Sequence, residues 1–194
     1  ADTDGDGLDD GDEINMYLTD PTDADTDGDG LSDGEEIASM TNPTLADSDD
    51  DGLNDGDEVN VYQTNPNMAD SDQDGLFDGQ EILSFQTDPN DSDSDDDNLT
   101  DSQEIELGTN PNSVDTDSDG ICDGDLAFQD VCSEGPDPFP TDGNEWTDND
   151  GDGVGDNEDT DDDNDGLLDT DELNLGTDPL DSDTDGDGIC DGPV

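Results

Sequence analysis

Lysine, arginine and histidine are all absent from this sequence. Against 65 Asp and Glu in 194 residues, that leaves a formal charge of −65 and no side-chain counter-ion. A chain without basic side chains cannot neutralise phosphates, which excludes nucleic acid and anionic membrane surfaces as partners. Histidine and lysine also supply most general bases and activated nucleophiles, so catalysis has no foothold and the chain reads as not an enzyme. Apolar residues make up only 24 % and aromatics 4 %. No apolar run approaches the roughly 20 residues of a membrane span, so no direct membrane insertion is expected. The chain opens on Ala1 with no leader-like segment, as expected of a mature product or an excerpt.

These absences pose a folding problem. Two carboxylates 4 Å apart repel by about 1 kcal/mol in bulk water and by about 4 kcal/mol at an effective dielectric of 20. Low hydrophobicity with high net charge is the signature of disorder. A compact state therefore requires a cation from outside.

What is present is a repeat. The pattern D-x-D-x-D-G-h-x-D-x-x-E, with h apolar, starts at Asp2, Asp25, Asp47, Asp70, Asp93 and Asp161, and incomplete copies start at Asp115, Asp148 and Asp183. From Asp2 to Asp115 the successive spacings are 23, 22, 23, 23 and 22 residues. A solvated acidic tail would show the composition without this register. A longer period is also visible: DTDSDGICDG at 115–124 recurs as DTDGDGICDG at 183–192, which suggests an array continuing beyond this fragment.

After each closing Glu comes an apolar residue (Ile14, Ile37, Val59, Ile82, Ile105, Leu173), and in four copies Tyr17, Met40, Tyr62 or Phe85 follows three residues later. That spacing predicts one or two helical turns. Thr-Asp/Asn-Pro then stops the helix, because proline bars its predecessor from helical geometry. Six residues always separate that Thr from the next loop's first Asp, so the one-residue difference between copies falls at the helix end.

A twelve-residue loop that offers oxygens at positions 1, 3, 5, 7, 9 and 12 matches calcium, which takes six to eight oxygen ligands, the seventh position through its carbonyl. All-oxygen ligation selects a hard cation, and the stricter octahedron of magnesium makes calcium the better fit. The candidate ligands are Asp2, Asp4, Asp6, Leu8, Asp10 and Glu13; Asp25, Asp27, Asp29, Leu31, Asp33 and Glu36; Asp47, Asp49, Asp51, Leu53, Asp55 and Glu58; Asp70, Asp72, Asp74, Leu76, Asp78 and Glu81; and Asp93, Asp95, Asp97, Leu99, Asp101 and Glu104. The later loops add Asp115, Asp117, Asp119, Ile121 and Asp123; Asp148, Asp150, Asp152, Val154, Asp156 and Asp159; Asp161, Asp163, Asp165, Leu167, Asp169 and Glu172; and Asp183, Asp185, Asp187, Ile189 and Asp191. Glycine at position 6, such as Gly30, permits the sharp turn, and Glu36 is expected to open the short helix, where the dipole favours an anion.

An ordinary EF-hand does not fit, since a proline lies in the 10 or 11 residues between one closing Glu and the next opening Asp and no entering helix fits there. Position 8, which zips paired EF-hand loops together, is mostly polar or small, so sequential loops are expected. The stretches DTDGDGLSDGEE and TNPTLADSD, with the closely spaced double loop DNDGDGVGDNEDTDDDNDGLLD at 148–169, resemble thrombospondin type 3 repeats in their bacterial form. The resemblance covers nearly the whole chain and is weakest at 125–147. It implies calcium ions, about one to two per loop, strung through units with little regular secondary structure. It also implies a secreted or cell-surface protein whose repeats serve as stalks, spacers or adhesive arms.

Four positions depart from the pattern. Leu126 and Val194 stand where the loops at 115 and 183 should close with a carboxylate, Asp159 closes the loop at 148 with a shorter reach, and Asn98 replaces the position-6 glycine of the fifth loop. Asn is the side-chain residue that tolerates that conformation best. Cys122 and Cys132 either close a short bridge, as suits an oxidising compartment, or remain free thiols. Cys190 matches Cys122 and is expected to pair beyond Val194. Trp146, with Phe139 and Pro140, reads as a local apolar cap, and Tyr17, Tyr62 and Phe85 as packing against the adjoining loop.

The expected fold is a mostly irregular, metal-organised, elongated repeat array with a minimal hydrophobic core. Its expected organisation is five tandem repeats at 1–114, a variant repeat with a Cys-containing insertion at 115–147, and a double loop with further repeats at 148–194. Its expected role is a calcium-rigidified extracellular stalk, spacer or fibre segment. The alternative is a calcium-dependent adhesive module that binds protein or glycan. Calcium ions and neighbouring repeats are the expected partners, with self-association into fibres or surface adhesion as further ones.

Overall fold

The computed structural model describes residues 1–133 and 135–192. Two compact units divide the chain: residues 1–94 with 100–102, and residues 95–99 with 103–194. Helices appear once per full repeat and are short. Three are α-helices of seven residues, Asp33–Ser39, Asp101–Leu107 and Asp169–Leu175. The other three begin as a single α turn, Asp10–Asp12, Asp55–Asp57 and Asp78–Gln80, and widen into a π turn, Glu13–Tyr17, Glu58–Tyr62 and Glu81–Phe85. Among the described residues the β pairing is a single bridge, Phe128 to Cys132.

These two helix types account for the two repeat lengths. In the 22-residue copies the position-12 carbonyl accepts from the residue four positions on, Glu36 from Met40 and Glu172 from Gly176. In the 23-residue copies it accepts from the residue five positions on, Glu13 from Leu18, Glu58 from Gln63 and Glu81 from Gln86. The extra residue is absorbed as a π turn, the usual form of a one-residue insertion in a helix.

The stop signal differs from the expectation. Each helix ends on a left-handed residue immediately before the threonine (Leu18, Met40, Gln63, Gln86, Gly108 and Gly176, φ 60 to 88°). Proline, two residues after the threonine, bars re-entry but does not make the break. The helix also starts earlier than expected: Asp33, at position 9, opens it, and Glu36 sits in its first turn. Ser32 caps that end in a reciprocal box with Glu35.

The run from threonine into the next loop is rigid for a visible reason. The residue after each threonine donates its N–H to the position-2 hydroxyl of the next loop: Asp20 to Thr26 (3.0 Å), Asn42 to Ser48 (3.1 Å), Asn65 to Ser71 (3.1 Å) and Asp88 to Ser94 (3.0 Å). A fixed six-residue spacing is what that bond requires.

Candidate metal centre

The interior of this protein is made of carboxylates. The largest fully buried side chains are Glu13, Glu36, Glu58, Glu81, Glu104, Glu172, Asp33, Asp55, Asp78, Asp97 and Asp101, joined by one apolar residue, Cys122. Position-7 side chains are buried in three repeats, as Leu31, Leu53 and Leu76. Leu8, Leu99, Ile121 and Leu167 are partly exposed, while Val154 and Ile189 face solvent.

Most of the loops distribute their carboxylate oxygens by a common scheme. The position-1 aspartate accepts from the amides of positions 4 and 6, as Asp25 does from Gly28 (2.8 Å) and Gly30 (3.2 Å). Position 3 accepts from position 5 through one oxygen, Asp29 to Asp27 (3.3 Å). Position 5 accepts from position 7, Leu31 to Asp29 (2.8 Å). Its second oxygen accepts from the position-10 amide of the following repeat: Gly34 to Asp6 (3.0 Å), Gly56 to Asp29 (2.8 Å), Gly79 to Asp51 (3.0 Å) and Ser102 to Asp74 (2.9 Å). Position 9 is clamped by the position-2 residue of its own loop, Thr26 reaching both oxygens of Asp33. Threonine at the helix end holds one oxygen of position 12, as Thr64 does for Glu58 (3.1 Å) and Thr87 for Glu81 (3.1 Å).

This scheme leaves particular oxygens over. The second position-3 oxygen is buried without a hydrogen-bond partner in Asp4, Asp27, Asp72, Asp117, Asp150 and Asp163, as are both oxygens of Asp49. The same holds for Oε2 of Glu13, Glu58, Glu81 and Glu172 and for both carboxylate oxygens of Glu36. A buried carboxylate oxygen without a donor carries a desolvation cost that only a cation or a proton can offset. Three acidic groups from one loop lie with their oxygens within 4.8 Å of one another at Asp2, Asp4 and Asp6, at Asp25, Asp27 and Asp29, and at Asp47, Asp49 and Asp51. A second kind of cluster crosses the repeat boundary: Asp29 and Glu36 with Asp55, and Asp51 and Glu58 with Asp78. Position 9 thus gathers with positions 5 and 12 of the preceding loop, which spacing within one loop does not reveal.

Burial, followed by the charges of Asp27, Asp29, Asp33 and Asp55, pushes Glu36 up to about 8. Burial and Asp49 push Glu58 up to about 8, and burial and Asp72 do the same to Glu81. Burial raises Asp49 and Asp72 to about 6, with the charges of Asp51 and Asp74 respectively adding to it. The glutamates raised to about 8 hold protons near neutrality unless a divalent cation takes the protons' place. The donor set is all oxygen and largely anionic, so these residues fit a hard divalent cation.

The loops need two left-handed residues each. Position 6 has φ between 79 and 109° in all nine, including Asn98 at 79° in the fifth. Position 4 is also left-handed throughout, whether glycine or not: Gly28 at 80°, Asp50 at 67°, Gln73 at 67°, Asn164 at 56°. Position 10 carries a separate requirement, since a Cβ on Gly34, Gly56, Gly79 or Gly124 would collide with the position-5 carbonyl oxygen of the preceding loop. The position-2 hydroxyls, the helix-end threonines and the position-10 glycines recur in register with the aspartates. That recurrence was the signal available for them.

The variant loops depart in instructive ways. Asp159 does occupy position 12 of the loop at 148, its amide donating to the Gly155 carbonyl (2.8 Å). Its side chain instead turns back to the amides of Thr160 and Asp161. In that loop the position-10 amide, Asn157, donates to Glu145 (3.0 Å), a buried glutamate that sequence reading passed over. Leu126, at position 12 of the sixth loop, is 44 % exposed. Val194 lies outside the described residues. Cys122 and Cys132 form a disulfide, and Cys190 is a free thiol.

A protein whose buried groups are loop-borne carboxylates in strict register is a cation-loop repeat protein by construction. The family model described as the bacterial TSP3 repeat matches residues 2–24, 25–46, 47–69, 70–92, 93–114 and 161–182. That is more than half of the chain, and the chain belongs to this family of calcium-binding, non-catalytic repeats. Among curated proteins none matches. One solved structure, "Biofilm associated protein - BSP domain", is similar at 37 % identity over 22 % of this chain and 7 % of that one, with a TM-score of 0.22. Among the described residues no helix is long and apolar enough to cross a membrane.

Proposed function

We propose that this chain is a calcium-rigidified structural segment of a secreted or cell-surface protein, a stalk, spacer or fibre element in which bound ions take the place of a hydrophobic core. The carrying observation is the set of buried, unpartnered oxygens at positions 3 and 12, repeated from loop to loop. The ligands are the aspartates of positions 1, 3 and 5, the position-7 carbonyl and the position-12 glutamate, with position 9 serving the preceding loop. Bound calcium would supply the positive charge that these groups lack. The protein's own residues do the rest: amides at positions 4, 6 and 7 orient the aspartates, the threonine orients the glutamate, and in the second to fifth repeats the position-10 amide ties the loop to the one before. Binding free energy is then folding free energy. The Cys122–Cys132 disulfide suits an oxidising exterior, where millimolar calcium would saturate sites as weak as about 10⁻⁴–10⁻³ M. The same reading keeps five tandem repeats over 1–114, the insertion at 115–147 and the double loop with further repeats from 148.

Small-angle scattering and circular dichroism of the chain in calcium and in EDTA test this. The calcium form should be extended and stiff, and the chelated form expanded and structureless. Identical profiles would discard the proposal. A second reading, lateral association of copies, is favoured by the apolar residues exposed near the helix ends, Met16, Leu18, Met40, Val61, Leu83 and Leu107. Sedimentation in calcium would show concentration-dependent oligomers if it holds and a monomer if it does not.

A further inference from the structure

The sixth loop, at 115, ends its linear pattern on Leu126 rather than a glutamate. We propose that Asp137, from the insertion that follows, supplies the missing twelfth-position carboxylate and completes a divalent-cation site with Asp117 and Asp119. This rests on the reading of the regular loops as cation sites.

The backbone gives Asp137 the address of the missing residue. In the regular loops the position-12 amide donates to the position-8 carbonyl: Glu13 to Asp9 (3.1 Å), Glu36 to Ser32 (2.9 Å), Glu58 to Asn54 (3.0 Å), Glu81 to Phe77 (3.0 Å) and Glu172 to Leu168 (3.0 Å). In the sixth loop position 8 is Cys122, and its carbonyl accepts from the amide of Asp137 at 2.9 Å. Leu126 directs its own amide elsewhere, to the Asp97 carbonyl (3.3 Å). Asp137 therefore enters the loop at the backbone position that glutamate holds in the other copies.

The Asp137 side chain is buried with one oxygen left over. Asp137 is 6 % exposed. Its Oδ1 accepts from the Phe139 amide (2.7 Å), and its Oδ2 is buried with no hydrogen-bond partner. Oδ2 of Asp117 and of Asp119 are likewise buried and unpartnered. The acidic groups acting on Asp137 are Asp119, Asp117 and Asp123, of which Asp123 is held by the Thr116 amide. Asp119 is available because the position-10 amide that a following loop would offer it, that of Asn157, goes to Glu145 instead.

The route between the two ends is built from local constraints. The disulfide joins Cys132 to Cys122. The amide of Ser133 donates to the Gly120 carbonyl (3.0 Å). Gly135 lies so near the Gly124 and Cys122 carbonyls that no side chain would fit there. A detour clipped by a disulfide between residues ten apart thus replaces the helical turn, and at Asp137 it returns the chain to the same carbonyl.

The test counts ions on the full chain by native mass spectrometry and calcium titration against a chromophoric chelator, with hydrogen exchange followed over 115–124. Asp137→Asn keeps the Oδ1 bond and replaces the unpartnered oxygen with an amide, so the variant should hold one ion fewer at limiting calcium, its sixth site weakened on the order of tenfold or more. Protection over 115–124 should fall while that over 25–92 is unchanged. Asp137→Glu should keep the ion. Asp130→Asn, an exposed neutralisation in the same insertion, should lose nothing. An Asp137→Asn chain with the full complement and wild-type affinity would overturn the inference, as would equal losses in Asp137→Asn and Asp130→Asn. Should the wild type bind no calcium at all, the reading of every loop falls, and this site with it.

Discussion

The second repeat and the sixth begin with the same loop and end it differently. In the second, the chain runs on for one helical turn and Glu36 arrives at the Ser32 carbonyl. In the sixth, the helix is absent, a disulfide closes a detour, and Asp137 arrives at the Cys122 carbonyl. What the two share is a backbone address and a buried acidic oxygen that nothing in the protein satisfies. On the proposed assignment of Asp137, the cation site is specified by hydrogen-bond geometry, and sequence spacing is only the common way of meeting it.

Chelation should separate these regions most sharply. The regular repeats have no covalent clip to oppose their repulsion, whereas residues 120–133 do. In EDTA, hydrogen exchange should show protection lost across 25–92 but partly kept around the disulfide, and lost there too after reduction. The chelated repeats should also respond to acid. Glu36, Glu58 and Glu81 are raised from 4.5 to about 8, so the folded form binds their protons more tightly than the unfolded chain does. That contribution is fully present below pH 4.5 and is lost as pH rises through about 8. Metal-free repeats should therefore be more compact at pH 5 than at pH 9, by scattering. Calcium uptake should run the opposite way, strengthening as pH rises and releasing protons at pH 7.

Smaller in reach is the loss of one ligand. Glu58→Gln leaves the Thr64 bond possible and removes the charge from a cluster shared with Asp51 and Asp78. Calcium titration should show one site weakened on the order of tenfold or more. Hydrogen exchange should reveal damage in both the third and fourth loops, because Asp78 belongs to the latter. Damage confined to the third loop would argue that the clusters crossing repeat boundaries hold no ion.

Much of this is legible in the sequence. The nine loops, the position-6 turn including Asn98 and the site of the one-residue slack all follow from register and elementary stereochemistry, and the Cys122–Cys132 bridge is one of the two alternatives the sequence leaves open. What could not be read was anything set by contact between repeats. The pairing of Asp55 with Asp29 and Glu36, the amide of Gly56 on Asp29, and the roles of Asp137 and Glu145 depend on which carbonyl or carboxylate a distant segment approaches. The left-handed helix ends were also hidden, because Leu18, Met40, Gln63 and Gln86 are not residues that advertise a positive φ.

Position 10 offers a milder test of the contact between repeats. A methyl on Gly56 would strike the Asp29 carbonyl oxygen, so Gly56→Ala should destabilise the calcium form by about 1–3 kcal/mol. The fifth repeat carries Ser102 at this position, whose hydroxyl donates to the Asp74 carbonyl at 2.6 Å. Gly56→Ser should accordingly cost less than Gly56→Ala in thermal unfolding at fixed calcium. The reverse order would mean that side-chain volume, and not the close carbonyl, sets the preference for glycine.

The smallest effect should come from converting one repeat length into the other. Removing Val61 from the π turn Glu58–Tyr62 makes the third repeat 22 residues long, like the second. Val61 is exposed, so little apolar burial is lost. The Glu58 carbonyl, which now accepts from the amide five positions on, would accept from the residue four positions on, as Glu36 does from Met40. Thr64 would still follow the left-handed residue, and the six-residue run into Asp70 would be untouched. Stability in calcium should stay within about 1 kcal/mol of wild type with the ion count unchanged. A lost ion would show instead that the wider turn positions Glu58 itself, and that the two repeat lengths build different sites.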